Sequence, residues 1–235
     1  AAGDVADGSI TTAKLADDAV TSAKLGASAV DATALASNAV TTAKVLDGAV
    51  TQAKTTGVGG SVLLLDQTYG GFAGSGSITE YAISSTYINS TYDSYILEGS
   101  IRASNDNKYL QFHVDVGGNK VTSSIYGYES QYLGGTNPNN NNGNTVWSFM
   151  SYGSGNSQGE GVHFHMLLAN VNNQYAPATL TGIHTWHEAG GAHNGQICSG
   201  SLLPANRTDV VNGLRLSWHS GNVYGGDIRL YGLKT

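Results

Sequence analysis

Five of the seven histidines, His163, His165, His184, His187 and His193, fall in one short span of the chain. His163 and His165 alternate with Val162, Phe164 and Met166, so in an extended segment the two imidazoles share the face opposite the apolar one. Imidazole suits transition metals, and three copies meeting with this strand at their axis would surround one ion with such pairs. A solvated polar face accounts for the same alternation. The expected metal is therefore none, with His163 and His165 as the candidates, and no cofactor is expected.

A second group is amide-rich. Asn137, Asn139, Asn140, Asn141, Asn142 and Asn144 form a run that leads into Trp147 and Tyr152. Carboxamides offer donors and an acceptor to sugar hydroxyls, and an aromatic face beside them would stack on a pyranose ring. Read only as local structure, the run is a surface loop of turn formers. These eight residues are the candidate ligand-binding set.

Nothing points to catalysis. The carboxylates Glu80, Asp115, Glu129, Glu160, Glu188, Asp209 and Asp227 are scattered, and spacing in the chain places no two of them across a glycosidic bond. The glycine run 71–76 lacks the lysine and helix of a phosphate loop. Cys198 stands alone, which rules out an intrachain disulfide and reads as a buried, inert thiol. The chain is read as a non-enzyme.

The elements that would carry these residues are strands. Leu110, Phe112, Val114 and Val116 alternate with polar neighbours, as do Leu214, Leu216 and Trp218, and Val162, Phe164 and Met166. Further runs at 62–66, 80–84, 94–101, 122–132, 145–152, 180–187 and 227–231 are separated by Gly-, Asn- and Ser-rich turns. About ten short strands without helical periodicity predict a β-sandwich over 62–235, jelly-roll-like in arrangement. Trp218 continues a core face, whereas Trp186 lies on a strand apolar on both faces, the mark of a subunit contact or a central strand.

The first 54 residues follow another rule. Ile10-Thr-Thr-Ala-Lys-Leu15, Val20-Thr-Ser-Ala-Lys-Leu25 and Val40-Thr-Thr-Ala-Lys-Val45 are copies of a decapeptide, and an apolar residue falls at every fifth position: Val5, Ile10, Leu15, Val20, Leu25, Val30, Leu35, Val40, Val45 and Val50. A step of five makes no stripe on an α-helix and changes face on a strand, so the unit must bend once per repeat. Thr11, Thr21, Asp31, Thr41 and Thr51 stand as helix N-caps, with Ile10 and Leu15 at staple spacing. The expected unit is a short capped helix followed by a turn, too short to persist alone. These ten apolar residues are the candidate oligomerisation set. A Gly-containing joint at 55–61 separates repeat from body.

Only 12% of residues are charged, the net charge is -6 and no basic cluster exists, which argues against nucleic acid as a partner. The longest apolar stretch, Val62 to Leu65, is far too short for membrane insertion. The chain starts at Ala1, without Met and already in repeat register, so a longer or processed polypeptide with an anchoring segment is expected.

Decapeptides of this type, followed by a β region that closes on Ser220-Gly221-Asn222, Gly226 and Ile228-Arg229-Leu230-Tyr231-Gly232-Leu233, resemble bacteriophage fibre proteins, both tail fibres and head fibres. The repeat covers about the first quarter and the closing segment the last 22 residues. The resemblance implies a homotrimer on the virion surface, held there by other virion proteins. The expected architecture is mainly β: a stalk of helix-turn decapeptides (1–54) wound in a trimer, then a β-sandwich head. The head is expected to bind a host surface glycan or other envelope receptor; the alternative is a purely structural head fibre or capsid decoration protein.

Overall fold

A computed structural model describes residues 5–26, 29–30, 35, 37, 39–46, 49–50, 60–69, 78–133, 138–150, 153–157, 159–173, 175–203 and 209–233. The chain divides into two compact units, Ala1–Val58 and Gly59–Thr235. Residues 55–59 of the expected joint lie outside the described residues.

The repeat unit is built from turns, and this corrects the expected helical stalk. Three single turns of 3-10 helix, η1 (Thr12–Lys14), η2 (Ser22–Lys24) and η3 (Thr42–Lys44), are its helical content among the described residues. One backbone bond closes a turn every five residues: Ser9 to Ala6, Lys14 to Thr11, Ala19 to Ala16, Lys24 to Thr21 and Ala29 to Gly26, with the same pattern at Lys44 to Thr41 and Ala49 to Leu46. Thr11 and Thr21 have the extended backbone of a cap, but neither side chain makes a capping bond. Leu15 and Leu25 return to extended geometry at once.

Two local features stop each turn from growing into a helix. The turns at 6–9 and 16–19 place Gly8 and Asp18 at positive φ (73° and 59°), which a right-handed helix cannot contain. The ammonium groups of Lys14, Lys24 and Lys44 donate to the carbonyls of Ser9, Ala19 and Ala39 at 2.7 to 2.8 Å, clamping each turn from outside. The period of five is thus the period of the turn, and it leaves Val5, Ile10, Leu15, Val20, Leu25, Val30, Leu35, Val40 and Val50 exposed, between 46% and 67%.

Among its described residues the second unit holds twelve strands in two antiparallel sheets: β1 (Ser61–Tyr69), β2 (Glu80–Ile83), β3 (Ser94–Ala103), β4 (Leu110–Val116), β5 (Asn119–Lys120), β6 (Tyr126–Tyr132), β7 (Pro138–Asn144), β8 (Val162–Ala169), β9 (Thr179–His187), β10 (His193–Leu202), β11 (Val211–Trp218) and β12 (Val223–Leu233). Eight strands run in the order β1-β12-β3-β8-β9-β10-β6-β7 and four in the order β2-β11-β4-β5. The unit is sandwich-like, with unequal sheets of eight and four strands where about ten strands in a jelly-roll-like arrangement are expected from the sequence. Residues 145–152, expected as a strand, contribute a single bridge from Trp147 to Phe112; Ser151 and Tyr152 lie outside the described residues.

Inward side chains of the two sheets meet in an aromatic core. Phe112 of β4 stands edge-on to Phe164 of β8, with ring centres 6.1 Å apart, and Tyr126 stands edge-on to Trp147 at 5.1 Å. Gly200 makes room for this cluster, since a Cβ there would lie 2.7 Å from the Trp147 indole nitrogen. In the small sheet Arg215 joins neighbouring strands: Nε and Nη2 donate to Asp115 at 2.5 and 2.9 Å, and Nη1 to Glu80 at 2.8 Å. Lys120 also donates to Glu80. Although burial opposes it, the bonds from Arg215 and Lys120 hold the Glu80 carboxyl below its usual range.

Gly226, where β12 crosses to β3, has φ 152°, and a Cβ there would stand 2.1 Å from the Ser100 carbonyl oxygen. The backbone of β3 occupies that space, so Gly226→Ala is expected to destabilise the β unit by about 2 to 4 kcal/mol, measured as a lower urea midpoint of the full chain.

Candidate functional site

The concave feature that gathers polar side chains lies on the outward face of the large sheet, where β12, β3 and β8 run side by side. Two cross-strand rungs build it. Asp227, Ser100 and His163 face one another on the first, and Arg229, Glu98 and His165 on the second. Alternation sends all six outward, because their neighbours Ile228, Leu97, Ile101, Phe164 and Met166 fill the core. Ser100 is short between longer neighbours, and a hollow of about 400 Å³ opens, lined by Glu98, Gly99, Ser100, His163, Asp227 and Arg229.

Charges around the hollow are paired loosely enough to turn toward a ligand. Arg229 lies 3.3 Å from Asp66 through Nε and 3.7 Å from Asp227 through Nη1. Glu98 accepts a hydrogen bond from the Tyr231 hydroxyl at 3.0 Å and stands 3.6 Å from His165 Nδ1. The Tyr231 hydroxyl is thereby held in its protonated form, chiefly by that bond to Glu98. Ser100 Oγ has no such support: its residue is only 7% exposed, and the hydroxyl has no hydrogen-bond partner. A buried hydroxyl without a partner costs about 1 to 3 kcal/mol. Guanidinium, imidazole and hydroxyl donors thus alternate with two carboxylate acceptors.

The candidates read from the sequence are distributed elsewhere. Asn139, Asn140, Asn141, Asn142 and Asn144 lie in β7, an edge strand and not a loop, four strands from β8, or about 19 Å at ~4.8 Å per strand. Asn137 and Tyr152 lie outside the described residues. Trp147 is fully buried, and its indole N–H donates to the Gly127 carbonyl at 3.1 Å, so its ring is a core element and not a stacking platform. His163 and His165 are exposed on the outward face; His163 lines the hollow, whereas His165 stands beside it, next to Glu98. Among the described residues no group of three or more His, Cys, Asp or Glu side chains is arranged to hold a metal. Among the same residues no helix is long and apolar enough to cross a membrane.

Glu98, Ser100, Asp227 and Arg229 were not singled out. The available signal was the alternation within 94–101 and 227–231, which turns these four away from the apolar face; nothing in the sequence shows that those segments are neighbours. Cys198 is buried, and burial pushes its thiol up to about 12, consistent with an inert group. No protein-family model, curated protein or solved structure matches the chain.

Two outcomes follow from these placements. Trp147→Ala is expected to cost about 3 to 5 kcal/mol of unfolding free energy, as for an aromatic removed from a core; a stability change under about 0.5 kcal/mol, typical of a surface site, would contradict its placement. His113 and His184 are held near pKa 4 chiefly by burial, against an ordinary value of 6.5. Between those values the unfolded chain takes up protons that the folded chain refuses, so stability falls as pH drops from 6.5 toward 4 and is insensitive to these groups above it. Urea midpoints across that range should show the fall, and His184→Phe should make it shallower.

Proposed function

We propose that the chain is a self-associating fibre protein of a virion surface whose β unit binds a host glycan in the hollow formed by Glu98, Ser100, His163, Asp227 and Arg229. The hollow carries the binding part of this reading. Its alternating donors and acceptors match vicinal sugar hydroxyls, and its volume lies within the range of small-ligand sites.

The self-associating part is supported by the repeat. Nine apolar side chains left in water at intervals of five residues are a costly surface for a lone chain, and identical copies offer the matching surface. A homotrimer is the assembly implied by the likeness to phage fibres, as are virion partners at the anchored end. Several shallow sites on one assembly multiply avidity without any one being tight.

A glycan array probed with the full chain tests the reading, followed by titration of the best ligand. Asp227→Asn and Arg229→Ala are each expected to weaken binding about 10- to 100-fold, the effect of losing a hydrogen bond to a charged group. Ser100→Ala should weaken it by less. Absence of binding to every glycan, with the assembly intact, would contradict receptor recognition and leave the purely structural fibre.

A further inference from the structure

On the same outward face, beyond β8, the chemistry changes. Ile183 of β9 and Ile197 of β10 are cross-strand partners, and they are 50% and 53% exposed. Leu167 on β8 and Leu133 after β6 are also exposed, and the Leu133 methyl lies over Gly195, 3.1 Å from where a Cβ would be. The outward positions Thr181, Ile183, Thr185, Gly195, Ile197 and Ser199 carry no charge. The inward positions of the same two strands include Leu180, Trp186, Cys198 and Leu202, all buried. Strands apolar on both faces are the pattern of a sheet covered on both sides, and adjacent exposed isoleucines are the kind of patch that marks a contact.

We infer that the outward face of β9 and β10 packs against a second copy of this chain, through Ile183 and Ile197. The inference rests on the self-association proposed above and names the surface involved. Two observations select another copy as the occupant. The repeat unit of the same chain already exposes apolar side chains over its described length, and copies joined there would present their β units to one another at a high effective concentration. The flanks of the apolar stripe are also complementary: His163 and His165 border it on β8, whereas the exposed carboxylate Glu129 borders it across β10, on β6. Copies meeting with the β8 flank of one against the β6 flank of the next bring imidazole to carboxylate and isoleucine to isoleucine. The sugar-binding hollow, which shares His163 with that flank, then opens at the rim of the contact.

Cysteine cross-linking in the full chain tests this directly, because the native Cys198 is buried. Ile183→Cys and Thr185→Cys are each treated with a short bis-maleimide and compared with Tyr175→Cys, which stands 89% exposed on the 171–178 connection. The expected result is covalent dimers from both stripe variants, in yield on the order of tenfold above Tyr175→Cys, while the native chain gives none. Ile183→Glu is expected to lower the melting midpoint of the β unit and to abolish cross-linking through Thr185→Cys. An assembled chain whose stripe cysteines do not cross-link, or cross-link no better than Tyr175→Cys, overturns the inference and leaves self-association standing. A chain that sediments as a monomer at every concentration overturns both.

Discussion

A strand can bury only one side chain in two against a single partner layer, and this chain places branched apolar residues on both sides of its central strands. The inner set is satisfied within one copy: Val162, Phe164, Met166, Leu180 and Trp186 face the small sheet and close a core around Phe112 and Trp147. The outer set, Leu167, Ile183 and Ile197, has no covering layer in one copy. The repeat unit meets the same limit in another form. Its five-residue turns are closed by their own backbone and by lysine clamps, yet nine of the ten apolar side chains that set the period are exposed. Among the described residues both units leave apolar surface unburied.

The polar hollow depends on the same alternation. On β12, β3 and β8 the outward positions are Asp227, Arg229, Glu98, Ser100, His163 and His165, so the face that would otherwise be apolar becomes a tile of donors and acceptors. One sheet face thus carries two chemistries side by side, divided at β8. Strand order sets the boundary: β12 comes from the chain end, β3 from its middle, and β9 and β10 form a hairpin that continues beyond β8.

Strands with apolar residues at every second position were legible in the sequence; β4, β8 and β11 are the plainest cases. β10 was not, because its inward residues include Asn194, Gln196, Cys198 and Gly200, which bury polar or small groups beneath aromatic neighbours and show no apolar period. β7 reads as a loop since its residues are Pro, Asn and Gly; its pairing is by backbone to β6, which requires no particular side chain. In the repeat, the Thr caps and the staple spacing were real local signals for a first helical turn. They fail to extend it because positive-φ residues at Gly8 and Asp18 recur within the decapeptide and because three residues gain too little to propagate. The period of five was legible, whereas the turn that produces it was not. The hollow was invisible for a different reason: its side chains come from 98–100, 163 and 227–229, and only the sheet order makes them neighbours.

If the repeat is a surface that copies cover, its turns must be held more firmly when the chain is assembled than when it is dilute. Amide hydrogen exchange read by mass spectrometry on peptides spanning 5–26, at concentrations from nanomolar to tens of micromolar, measures this, with peptides from β3 and β8 as an internal reference. Protection of the Lys14 and Lys24 amides that rises with concentration, while the β3 and β8 amides stay protected throughout, is the expected result. Repeat amides that exchange at unprotected rates at every concentration would show a linker and not an assembly element, and would contradict the role given to the period-five residues.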